Sequence, residues 1–214
     1  MSVAAATSYA GRSDHIKLRV FIDYWNFQLT LNEQSGNPRF RIDWRSAPKA
    51  LADAAAAEMN LSSHSYEGAF VFTSCDPKTG EGRKFRNWAT NWLDRQPGIQ
   101  VKCFERRPKG PQKCPSCQGL ITNCPHCQGD LARTIEKGVD TAIVTDMIRL
   151  ALEDVYQVGV LVSSDADLVP AVEFLELRGV RIIHAGFPPH GSFLSKACWA
   201  TVDVGKLYHQ FERS

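Results

Sequence analysis

Asp165 and Asp167 stand one residue apart in Ser163-Ser-Asp-Ala-Asp167, directly after the apolar run Val158-Gly-Val-Leu-Val162. Asp140 lies upstream in Lys137-Gly-Val-Asp140. Asp23 closes a second apolar run, Leu18-Arg-Val-Phe-Ile-Asp23, with Asn26 three residues on. Carboxylates brought together repel: at about 5 Å and an effective dielectric near 20, each pair costs roughly 3 kcal/mol. Such a cluster persists where a cation occupies it, and all-oxygen ligands favour magnesium or manganese over zinc. One or two such ions, with a substrate phosphate completing the shell, make a hydrolytic phosphodiesterase site, because a bound ion acidifies a water that attacks phosphorus in line. Asn26 cannot ionise and is assigned to orienting a water or a ligand carboxylate. The competing explanation for Asp167 is a helix cap, which leaves Asp165 unexplained.

The elements that would position these residues follow from periodicity. Ile143, Val144, Met147, Ile148 and Ala151 recur at helical spacing, with Asp140 before the run as an N-cap. Val158–Val162 suits a strand buried on both faces, Leu168–Leu177 a helix closed at Gly179, and Val180–Ile183 a further strand. Strand, helix and strand in so short a span predict a βαβ unit and a mostly parallel sheet, with ligands beyond the carboxyl ends of its strands. Leu18–Asp23, Gly68–Thr73 and Ile99–Phe104 supply the earlier strands, and helices are expected over about 44–59 and 83–93. In the second of these, Phe85, Trp88, Ala89 and Trp92 share one face and are assigned to the core, while Arg83, Lys84 and Arg86 face solvent or a phosphate path. A closing helix is expected over 204–211. His184 and His190 are placed beyond a strand end with structural or loop roles.

The α/β pattern breaks between Glu105 and Arg133. Glu105–Lys113 is basic and, with two prolines and a glycine, is expected to be irregular. Then Cys114-Pro-Ser-Cys117-Gln-Gly is repeated as Cys124-Pro-His-Cys127-Gln-Gly. Two thiolates can bind one metal from a tight turn, with glycine allowing the turn a positive φ, and two such knuckles make a four-thiolate tetrahedral zinc site. With all four positions filled by protein, that zinc would be structural. His126 is an alternative ligand to one thiolate, and the competing explanation is a reactive, unliganded cysteine cluster. The excursion carries Arg106, Arg107, Lys109 and Lys113, and Lys137 follows it, so these residues join the candidate RNA-binding set.

The chain has 214 residues, enough for one α/β domain: a loose tail over 1–14, then a domain over 15–214 interrupted by the zinc-knuckle insertion at 106–133. The net charge of +2 means that binding to a polyanion must rest on local patches. No apolar run is long enough to cross a membrane, and the first residues lack the apolar core of a secretory signal. Cys75, Cys103 and Cys198 are expected as buried thiols in a reducing cytoplasm.

Together these motifs make the chain similar to the NYN family of PIN-like nucleases, in the branch of bacterial proteins formerly grouped as a LabA-like domain of unknown function. The matching residues are Phe21-Ile-Asp23-Tyr-Trp-Asn26, Lys137-Gly-Val-Asp140, Asp146, Leu161-Val-Ser-Ser-Asp165-Ala-Asp167-Leu-Val-Pro170 and the strand after Gly179. The resemblance spans about Leu18 to Val204 apart from the cysteine insertion. It implies a Rossmann-like (PIN-like) three-layer sandwich, a divalent-metal site at Asp23, Asn26, Asp140, Asp165 and Asp167, and cleavage of RNA, single-stranded or looped, with tRNA among the candidates. Two departures stand out. Tyr24 and Trp25 are bulky and would narrow the entrance or stack on a base, and Ser164 replaces a common glycine. Competing functions are a catalytically weak RNA-binding or regulatory module and a nuclease acting on DNA. A haloacid-type phosphatase is excluded by the missing second acid after the first strand. A Toprim-like enzyme would need glutamate where Asp23 stands.

Overall fold

The structure, a computed structural model, describes residues 15–213; the tail expected over 1–14 lies outside them. β1 (Ile16–Asp23) runs directly into α1 (Tyr24–Gln34), and α2 (Ala47–Glu58) leads to β2 (His64–Cys75), α3 (Gly80–Asn91) and β3 (Ile99–Glu105). Four short strands follow: β4 (Arg107–Lys109), β5 (Gln112–Lys113), β6 (Leu120–Ile121) and β7 (Arg133–Ile135). The chain then returns through α4 (Val139–Leu152), β8 (Val158–Val162), α5 (Val169–Leu177), β9 (Arg181–Gly186), α6 (Ser192–Ala197) and β10 (Ala200–Asp203).

Six strands form one parallel sheet in the order β3-β2-β1-β8-β9-β10. Alternation along β1 sets the layers. Leu18, Val20 and Ile22 face the cluster that includes Phe27 of α1 and Leu51 and Ala55 of α2. Phe21 faces the opposite cluster, with Ile143 and Met147 of α4, Leu175 of α5 and Leu194 of α6. The result is the α/β three-layer sandwich expected from the sequence. The winding reverses between β1 and β8, so the carboxyl ends of these two strands flank the crevice where such sheets take ligands.

Several local expectations are corrected. Residues 105–113 are regular: β4 pairs antiparallel with β7, and β5 with β6. Pro108 is tolerated because this two-stranded ribbon leaves edge positions that need no ladder donor. The last segment forms short 3-10 turns at Val204–Lys206 and Tyr208–Phe211 rather than one helix. Tyr24 does not narrow an entrance: it is buried among Trp44, Phe85 and Trp88, with ring centroids 5.1–5.9 Å away.

His184 lies within β9, fully buried, not beyond its end. Its Nε2 lies 2.8 Å from the Ser163 carbonyl and its Nδ1 2.6 Å from Ser195 Oγ. A carbonyl only accepts, so Nε2 carries the proton. Burial lowers the ring's pKa, which keeps the ring neutral and leaves Nδ1 to accept from Ser195. Glycine at 186 makes room for this ring, since a Cβ there would lie 2.3 Å from the imidazole.

Candidate active site

Asp23 is the last residue of β1 and the N-cap of α1. Its Oδ1 faces the Asn26 amide at 3.4 Å, and its Oδ2 accepts from Ser163 Oγ at 3.2 Å. The same Ser163 hydroxyl accepts from the Asp165 amide at 3.2 Å. One hydroxyl therefore joins the end of β1 to the turn after β8. Asn26 adds a second tie, its Oδ1 accepting from the Ser164 amide at 2.9 Å. The role expected for Asn26, orienting a water or a ligand carboxylate, is thus replaced by one the structure shows: it orients the backbone that carries Asp165.

Capping is also redistributed. Asp165 caps the turn Ala166–Leu168 by accepting from the Asp167 amide at 2.9 Å, so the cap proposed for Asp167 belongs to its neighbour. Asp167 is left with an exposed side chain. Asp140 is not the N-cap of α4: Gly138, at φ 89°, takes that position, and Asp140 sits inside the first turn. Glycine meets the steric demand at 138 because the left-handed region disfavours a side chain. A carboxylate in a helix's first turn is stabilised by the unpaired amides there.

The acids face one another. Asp140 is held above the ordinary carboxylate range by burial, then by the charges of Asp165, Glu136 and Asp167. Asp23 is pushed up to about 7, chiefly by burial, with Glu136 and Asp140 adding to the shift and its hydrogen bonds opposing it. The cluster thus contains Asp23, Asp140, Asp165 and Asp167, and also Glu136, which sequence reasoning did not single out. Its signal was its place four residues before Asp140; its partner, Ser74, is remote in the chain. Ser74 Oγ donates to Glu136 Oε2 and accepts from Arg106 Nε at 3.0 Å. Asp146 belongs elsewhere: it is buried and ion-paired with Lys102 at 2.6 Å, so it ties α4 to β3.

The excursion is spliced into this site at both ends. Arg106 donates its amide to the Cys75 carbonyl at 2.8 Å, and its guanidinium lies 5.5 Å from the Trp25 ring. β7 ends one residue before Glu136. Between β4 and β7 the two cysteine knuckles repeat almost atom for atom: the Cys114 amide donates to the Gly119 carbonyl and the Cys124 amide to the Gly129 carbonyl, each at 2.8 Å. The positive φ of each turn falls on Gln118 (60°) and Gln128 (58°), not on the glycines as expected. The glycines have another reason: a Cβ on either would lie 3.3 Å from the sulfur of the second cysteine. Backbone amides hydrogen-bonded to Cys114 and Cys124 lower the pKa of both thiols, which favours the thiolate a metal requires. The donor set therefore suits zinc within each knuckle. Among the described residues, however, no three His, Cys, Asp or Glu side chains stand together as a ligand group, in the knuckles or at the acids.

The expected basic set divides. Arg83 donates to the Pro77 and Lys78 carbonyls, and Arg86 pairs with Glu105 at 2.6 Å, so both are committed locally. Lys84, Arg107, Lys109, Lys113 and Lys137 are exposed. Arg106, Arg107, Lys137 and Lys78 line a cavity of about 370 Å³ between β3 and the insertion stem.

The state of Asp23 gives a pH test. In the fold it keeps its proton up to about 7, whereas the unfolded chain loses it near an ordinary value of about 3.9. Between those values the folded state binds more protons, so stability falls as pH rises. This contribution is complete below about pH 4 and gone above about 7. In chelator, urea unfolding of the wild type should lose about 2–4 kcal/mol between pH 4.5 and 8. Asp23→Asn should flatten that slope and exceed the wild type at pH 8. Equal slopes in the two proteins would show that the carboxylate is not held in this way.

Comparison with known proteins supplies the family. No curated protein matches the chain. Among solved structures, a protein of unknown function from Vibrio parahaemolyticus superposes with a TM-score of 0.54 at 16% identity, covering 94% of this chain and 99% of its own. At that identity the likeness concerns the fold alone. The model of the NYN domain matches residues 17–204, from the first strand to the last, and the chain is a member of the NYN domain family.

Proposed function

We propose that the protein is a divalent-metal-dependent endoribonuclease. The observation that carries this is the crowding of Asp23, Glu136, Asp140, Asp165 and Asp167 at the switch point between β1 and β8, where burial and mutual charge hold Asp23 and Asp140 partly protonated. Membership of the NYN family is consistent with nuclease activity. Asp23, Asp140, Asp165 and Asp167 would hold magnesium or manganese, with Glu136 beside them. The ion, when bound, supplies charge neutralisation at the scissile phosphate and an acidified water. The chain's own part is to fix the carboxylates: Ser163 links Asp23 to the Asp165 backbone, and Asn26 holds Ser164. Arg106, Arg107, Lys109, Lys113 and Lys137, with Lys84, would meet the phosphates of single-stranded or looped RNA.

The insertion over 106–133 would carry a structural zinc on Cys114, Cys117, Cys124 and Cys127 within a single NYN domain of the LabA-like bacterial type, working in a reducing cytoplasm. A second reading, a catalytically weak RNA-binding module, is favoured by one observation: the acid side chains do not stand at ligand distance of one another.

Two experiments test the proposal. RNA should be cut only with magnesium or manganese, leaving 5′-phosphate and 3′-hydroxyl ends. Asp165→Asn keeps an oxygen to cap the turn but loses the charge, and should reduce cleavage beyond the roughly 10–100-fold typical of an outer-shell partner. Asn26→Ala should fall within that range. Cleavage that survives EDTA, or cyclic phosphate ends, would overturn the mechanism, and binding without cleavage would favour the second reading. For the insertion, elemental analysis should give about one zinc per chain, lost in Cys117→Ser and in Cys124→Ser. A metal-free protein, or a disulfide under reducing conditions, would refute the zinc assignment.

A further inference from the structure

On the side of the acids away from the insertion, Phe193 of α6 is 70% exposed, which is unusual for a ring with no apolar neighbour to cover it. α6 packs against the turn Ala166–Leu168 and against α5. Phe193, Lys196 and Ala197 of α6 face Ala166, Val169 and Glu173 across a shallow hollow of about 360 Å³. Ala166 is the residue between the paired acids, so the hollow begins where the acid cluster ends. Its chemistry is mixed in a specific way. The floor is apolar and carries an aromatic face, one rim holds the Lys196 ammonium 5.9 Å from the Phe193 ring, and another holds the Glu173 carboxylate.

We propose that this hollow is a nucleobase subsite, in which an unpaired base next to the scissile phosphate stacks on Phe193. This rests on the nuclease reading above and deepens it. An exposed aromatic face takes any base, whereas each rim group selects. Lys196 suits the phosphate that follows the base. Glu173 can only accept a hydrogen bond, so it favours a base that presents an exocyclic amine. A duplex cannot offer such a base without opening, so the hollow would make the site prefer single-stranded or looped substrate. Along the sheet edge, the cationic cavity at β3, the acids at β1 and β8, and this hollow at α5 and α6 follow one another in strand order. A single strand laid across the carboxyl ends would meet all three.

The experiment measures binding of a short single-stranded RNA, with calcium in place of magnesium, by fluorescence anisotropy. Each of its positions is replaced in turn by an abasic site. The wild type should show one position whose base contributes five- to a hundredfold to affinity, the range of one base stacked on one aromatic side chain. Phe193→Ala should lose that factor on the intact RNA and nothing further on the abasic RNA, and Phe193→Trp should retain it. Glu173→Gln should change the base preferred at that position without abolishing the stacking. The exposed ring leaves folding undisturbed, checked by an unchanged thermal melt. If the wild type binds RNA but Phe193→Ala binds the intact and abasic strands as the wild type does, the subsite is refuted and the nuclease reading stands. If the substitution changes only self-association, the patch is a contact between copies and the subsite is likewise refuted. If the wild type binds neither RNA nor DNA, both readings fall together.

Discussion

Mutual repulsion among carboxylates at one end of a parallel sheet is the constraint on which the rest of this structure depends. Left to themselves, Asp23, Glu136, Asp140, Asp165 and Asp167 would turn to solvent, and each pair brought close costs a few kcal/mol, on the order of 3 at about 5 Å. The fold holds them with neutral hydrogen bonds to the backbone beside them. Ser163 spans from Asp23 to the Asp165 amide, Asn26 fastens Ser164, and buried His184 clamps the Ser163 carbonyl from below. None of these groups neutralises the charge, so the shifts on Asp23 and Asp140 persist. A site that is positioned but not neutralised is what a cation-dependent chemistry requires, because the same repulsion becomes binding energy when the ion arrives.

The insertion shares in this arrangement. It leaves the sheet at Arg106 and returns one residue before Glu136, and the chain Arg106–Ser74–Glu136 runs from its root into the acid cluster. Antiparallel pairing of Arg107 with Ile135 closes the stem, so the conformation of the excursion bears directly on where Glu136 points. Lys78, Arg106, Arg107 and Lys137 then stand around one cavity at the edge of the same site.

Much of this was legible in the residues. Apolar runs ending in acids gave the strands and the end of the sheet at which chemistry gathers, and the repeated cysteine pairs gave the two knuckles. What stayed hidden depended on partners distant in sequence or on backbone angles. Glu136 is drawn in by Ser74, sixty-two positions away, and no local pattern announces that contact. Asn26 looks like a ligand-orienting amide until its bond to the Ser164 backbone is known. Asp140 and Asp167 were expected as caps because aspartate favours that role. Gly138 and Asp165 take it instead, since helix starts shift by one or two residues for reasons that propensity does not resolve. Residues 105–113 seemed too rich in proline and glycine for regular structure, yet a two-stranded ribbon has edges enough to accommodate Pro108. Tyr24 seemed a gate but is core, because Trp44, Phe85 and Trp88 surround it from three separate segments.

The central claim is that these carboxylates form one cation site whose protonation and metal binding compete. Isothermal titration of manganese into the metal-free protein, in two buffers of different ionisation enthalpy, tests it most directly. With Asp23 titrating at about 7 and Asp140 also raised, saturable binding at pH 6 should release the greater part of one proton or more, and the release should vanish by pH 8.5. Saturable binding with no proton release at pH 6, or no saturable binding at either pH, would contradict the account.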